Sequence, residues 1–74
     1  MRVTKRDLEK KVERVNYLLR NVKLKVAYRF GYTAIDVMKN NVPFETLISG
    51  ITKRQAYDIL DCIERLKLLE DVYL

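Results

Sequence analysis

Lys23, Lys25 and Arg29 recur along one short stretch of this 74-residue chain, and a second basic pair, Lys53-Arg54, follows Thr52 further on. On an extended backbone, residues two apart point the same way at about 7 Å spacing, so the first set can follow a phosphate backbone or grip a compact polyanion. Lysines on an exposed edge strand also guard against strand-to-strand aggregation, and both roles stay open. At the start of a helix, unpaired backbone N–H groups and the positive dipole end attract anions. Lys53 and Arg54, next to flexible Gly50, would add to that pull or would simply be a solvated first turn. Tyr32, at a turn, and Tyr73, in the tail, are free to stack on a base or a partner, whereas Tyr28 and Tyr57 fit core positions.

For catalysis the residue accounting is negative. There is no histidine to act as a base, Cys62 lies on or beside an apolar helical stripe, and Ser49 is the only serine. The carboxylates Asp58/Asp61 and Glu70/Asp71 have the spacing of a solvated helix surface. Gly31 and Gly50 are too far apart for a phosphate-binding glycine loop. The chain is therefore expected to be non-enzymatic, with no metal and no cofactor.

The composition, 49% apolar and 34% charged with two glycines and one proline, is that of a compact globular chain. A single domain spanning 1–74 is expected. A chain this short buries only about 60% of its unfolded surface, and one cysteine cannot make an internal disulfide, so a homo-oligomer is the remaining stabilising device. No stretch reaches the roughly 18 apolar residues of a membrane span, and residues 1–20 carry alternating charge where a signal peptide would carry an apolar block. A cytoplasmic location follows. The net charge is +5 and uneven: residues 1–29 hold ten Lys/Arg against three Asp/Glu, and residues 30–74 hold five against seven. Such polarity fits an anionic partner or head-to-tail association, and also fits a plain solubilising surface.

Thr4-Lys5-Arg6-Asp7 reads as a capping box with Asp in the Glu/Gln place, and Leu8, Val12, Val15, Leu19 and Val22 then recur at helical spacing. A helix over about residues 4–20 is predicted. The period next becomes alternating, with Val22, Leu24, Val26, Tyr28 and Phe30 apolar, which is a strand. Gly31-Tyr32 offers a type II′ hairpin turn into a second strand, residues 33–38. Asn40-Asn41 signals another turn, and a short third strand over residues 44–48, ended by Gly50, is expected. Thr52-Lys53-Arg54-Gln55 is a fuller capping box; Ala56, Ile59, Leu60, Ile63 and Leu66 carry a second helix over about residues 52–69, with Val72-Tyr73-Leu74 as an apolar tail. The fold class is α+β: an N-terminal helix, an antiparallel β-hairpin or three-stranded meander, and a C-terminal helix packed on one sheet face.

Residues 44–71, with Thr52-Lys53-Arg54-Gln55-Ala56-Tyr57-Asp58 near the start of their helix, resemble the second half of a winged-helix DNA-binding domain. That resemblance implies a short helix before Gly50 and a recognition helix presenting Thr52, Lys53, Arg54, Gln55 and Asp58 to the major groove. Over nearly its whole length the chain resembles small proteins of bacteriophages and mobile elements. The Tyr28-Arg-Phe-Gly-Tyr32 hairpin and the Ile51-Thr-Lys-Arg-Gln-Ala-Tyr57 run carry this likeness. It implies an accessory viral protein in the host cytoplasm that binds a host protein, a nucleic acid or a nucleotide. The candidate site residues are Lys23, Lys25, Arg29, Tyr32, Lys53 and Arg54.

Overall fold

The computed structural model describes residues 2–73, with side chains through Glu70. Its order is α1 (Lys5–Leu18), β1 (Lys23–Arg29), β2 (Tyr32–Lys39), β3 (Val42–Ile51) and α2 (Lys53–Tyr73). The three strands form one antiparallel meander, β1-β2-β3, with α1 and α2 both on one face. This is the α+β arrangement that the change from helical to alternating period calls for.

Helix α1 starts where Thr4 Oγ1 accepts the Asp7 N–H at 3.2 Å and the Asp7 carboxylate accepts the Thr4 N–H at 2.9 Å. Its fully buried Leu8 and Val15 meet Leu24 of β1, Ile35 of β2 and Ala56 and Leu60 of α2 in the core. Because successive strand residues face opposite ways, Leu24, Val26 and Tyr28 look toward the helices with their partners Val37, Ile35 and Thr33. Lys25, Ala27 and Arg29 fall on the uncovered face, opposite Asp36, Ala34 and Tyr32.

An odd number of antiparallel strands between two helices has a directional consequence. The chain reverses at each connection, so α2 must run the same way as α1. The contacts agree: Lys11 meets Asp61, Arg14 meets Glu64, and Arg14 and Leu18 share a groove with Leu68. Both helix N-termini therefore lie at one end of the molecule, together with the tip of the β1–β2 hairpin.

Several local expectations need correction. The first turn is Phe30-Gly31 rather than Gly31-Tyr32: both residues have positive φ (54° and 78°) and Arg29 pairs with Tyr32, as a type I′ turn requires. Phe30 thus leaves the apolar strand face and is almost fully exposed. Asn40-Asn41 forms the second turn with the same geometry (φ 54° and 64°). Strand β3 is longer than expected and passes through both Pro43 and Gly50. As an edge strand it tolerates a missing N–H at Pro43, and Gly50, at φ 69°, lies in one of three register shifts that place extra residues opposite β2. Helix α2 continues to Tyr73, so the expected apolar tail is helical as far as the structure describes it, and Leu74 lies outside the described residues. Leu66, expected on the core stripe, is more than half exposed.

Candidate ligand-binding cleft at the shared helix N-termini

At the end where both helices begin, a cleft of about 430 Å³ opens between the segment before α1, the start of β2 and the start of α2. Arg2 and Val3, Tyr32 and Thr33, and Thr52, Lys53 and Arg54 line it. The α2 capping box is complete: Thr52 Oγ1 accepts the Gln55 N–H at 3.1 Å and Gln55 Oε1 accepts the Thr52 N–H at 2.9 Å. The Ala56 N–H donates to the Thr52 carbonyl at 3.0 Å, so the N–H groups of Lys53 and Arg54 are the ones left without an intrahelical partner.

Charge at the cleft is only partly spent. Arg54 pairs with Asp58 at 3.3 Å, with both side chains more than half in water, a weak bond that a ligand can displace. Among the described residues, neither Arg2 nor Lys53 takes part in a salt bridge. The cleft thus combines cationic side chains, a helix dipole end and open N–H groups, which is the chemistry of anion binding.

The structure divides the six candidate residues. Tyr32, Lys53 and Arg54 line the cleft. Arg29 lies beyond Tyr32, lining a neighbouring hollow, and is held by Asp36 (Nη1 to Oδ1, 3.2 Å). Asp36 also accepts from the Thr46 hydroxyl at 3.0 Å, and the Arg29 guanidinium, with help from Thr46, holds its carboxyl below the usual range. Lys25 is exposed on the uncovered sheet face. Lys23 sits at the opposite end of the molecule, where its ammonium donates to the carbonyls of Asn16 (2.6 Å) and Leu19 (2.7 Å) and caps α1. The basic strand is therefore not one continuous binding row: one cation caps a helix and another is neutralised.

Arg2 and Thr33 belong to the cleft and were not singled out by residue pattern. The signal was available in topology, because counting three strands between two helices brings the chain start to the beginning of α2. Segment 44–51, which the winged-helix likeness implies to be a short helix, is strand β3, so no helix-turn-helix precedes α2. Comparison with family models, curated proteins and solved structures gives no match.

Proposed function

We propose that this protein acts by binding a compact anionic ligand in the cleft at the shared helix N-termini, stoichiometrically and without chemistry on it. The observation that carries this reading is the convergence of Arg2, Lys53 and Arg54 with the open N–H groups of Lys53 and Arg54 around one cavity. An accessory viral role, as the likeness to phage proteins implies, fits a chain that sequesters or senses a ligand. Titration calorimetry with inorganic pyrophosphate at low and moderate salt tests the proposal. Binding that weakens steeply with salt and is lost in the Lys53→Ala, Arg54→Ala double variant is expected. Binding unaltered in that variant would remove the cleft as the site.

A second surface favours a protein contact. Tyr17 is 90% exposed, and with Leu18 and Leu68 it walls a largely apolar groove of about 310 Å³ between the helices. An apolar strip like this on so small a domain supports self-association or capture of a host protein. Light scattering on a sizing column distinguishes them: a mass above 8.8 kDa that falls to 8.8 kDa in Leu68→Ser assigns the strip to a homo-oligomer. A wild-type mass of 8.8 kDa leaves a host protein as the partner for the strip.

A further inference from the structure

The two hairpins of the sheet share one backbone geometry and use opposite residue types to achieve it. At the end away from the cleft, Asn40 and Asn41 take the left-handed conformation, which asparagine tolerates. At the cleft end, the same first position is filled by Phe30 at φ 54°, followed by Gly31. A bulky aromatic is strained in that region, and Phe30 is also 98% exposed. It is unfavourable twice over, in backbone and in water, and packing within this chain gains nothing from it. An exposed aromatic kept at such a cost is explained by a contact to something outside the chain.

What lies beside Phe30 indicates the shape of that contact. A hollow of about 250 Å³, mostly apolar, is lined by Arg29, Phe30, Tyr32, Ala34, Ser49 and Gly50. Tyr32 and Thr33 line both this hollow and the basic cleft, so the two meet along the first residues of β2. Thr33, 3% exposed, is the less exposed of the two residues at this junction.

A cationic cleft with spare donors, a threonine where it meets an apolar hollow and an adjoining pair of exposed aromatic residues form a sequence of subsites. We infer that the ligand is a nucleoside phosphate, either free or at the end of a single strand. The phosphate sits against the N–H groups of Lys53 and Arg54 with Arg2 and Lys53 around it; Thr33 serves the phosphate or sugar; the base stacks on Phe30 and Tyr32. The inference rests on the cleft being the anion site. Stacking reads the face of a ring and not its edge, so recognition tolerates any base.

Titration calorimetry at one fixed salt concentration with ATP, the tetranucleotide of deoxythymidylate and inorganic tripolyphosphate tests it. Tripolyphosphate matches ATP in phosphate number and lacks the nucleoside. ATP or the tetranucleotide should bind about tenfold more tightly than tripolyphosphate, and Phe30→Asn should erase that advantage while leaving tripolyphosphate affinity in place. A stronger tetranucleotide means a strand end, a stronger ATP means a free nucleotide, and either supports the inference. Phe30→Asn suits the turn, so its melting temperature should not fall, and a folded variant keeps the result interpretable. ATP and the tetranucleotide both binding no more tightly than tripolyphosphate, or a nucleoside preference surviving in Phe30→Asn, would overturn the nucleoside assignment and leave the anion cleft standing. Absence of binding by all three ligands would overturn both.

Discussion

The side chain of Asn16 and the backbone of Leu24 exchange two hydrogen bonds: the Leu24 N–H donates to Asn16 Oδ1 at 2.7 Å, and Asn16 Nδ2 donates to the Leu24 carbonyl at 2.9 Å. The amide group copies the pairing of a neighbouring strand. It joins α1 to β1 and at the same time occupies part of an edge that would otherwise offer open N–H and C=O groups to another chain.

Replacing Asn16 by Ala should therefore have two effects. Two part-buried backbone groups lose their partners, at a cost of about 1–2 kcal/mol in the urea unfolding free energy. The freed edge of β1 should also raise the tendency to associate, seen as scattering that grows with protein concentration. Stability equal to the parent chain would show that water replaces the amide without loss.

Lys11 is the second tie between elements, a lysine 3% exposed inside the α1–α2 interface. Its ammonium donates to Asp61 at 2.7 Å and Glu64 at 3.2 Å, and it lies 5.1 Å from the centre of the Tyr57 ring. Burial pulls its pKa down, but the hydrogen bonds to the two carboxylates outweigh that and leave it raised. Lys11→Met leaves two carboxylates facing an apolar side chain and should destabilise by about 2 kcal/mol. Adding Glu64→Leu should recover much of the loss, since an apolar pair needs no desolvation. Failure of the second change to recover stability in a denaturant titration would mean that the ion pair is more than an exchangeable packing element.

How much of this was legible in the sequence differs by residue. The Thr4/Asp7 and Thr52/Gln55 caps, the Leu8–Val15 stripe, the alternating β1 and the Asn40-Asn41 turn follow from local chemistry, and each is formed. The first hairpin slipped by one residue because glycine suits either a type II′ turn at its first position or a type I′ turn at its second, and Phe30 argued for the former. Strand β3 was underestimated because Pro43 and Gly50 act as breakers in a central strand, whereas an edge strand with bulges accepts both. Lys11 stands three residues after Leu8 and four before Val15, a spacing that marks it as core-facing despite its charge. The cleft drew only part of its lining from sequence, since Lys53, Arg54 and Tyr32 announce themselves but Arg2 and Thr33 join them only through the parallel run of the helices.

Acid should weaken the fold through identifiable carboxylates. Asp36 is held below its ordinary pKa by Arg29, Asp61 by Lys11 and Asp7 by the Thr4 backbone N–H. A carboxyl whose folded pKa is depressed adds stability that is present above its unfolded value, about 4, and is lost as pH falls through the folded value. The urea midpoint should thus be nearly constant from pH 7 to 5 and decline below about pH 4. Asp36→Asn should start lower and decline less steeply. A midpoint that stays level down to pH 2 would show that these pairs contribute nothing to folding.

The start of α2 permits scaffold and site to be separated by stability alone. Thr52→Ala removes the hydroxyl that accepts the Gln55 N–H, and should cost about 1 kcal/mol, lowering the melting temperature by roughly 4–8 °C in a domain of this size. Lys53→Ala with Arg54→Ala removes two cations from the positive end of a helix dipole, where they are unfavourable, against one weak exposed pair with Asp58. That double variant should melt at the parent temperature or slightly above it. That outcome would add an energetic reason for assigning the two cations to the proposed ligand cleft. A melting temperature lowered by the double change as far as by Thr52→Ala would instead make Lys53 and Arg54 part of the scaffold and remove the energetic reason for assigning them to the cleft.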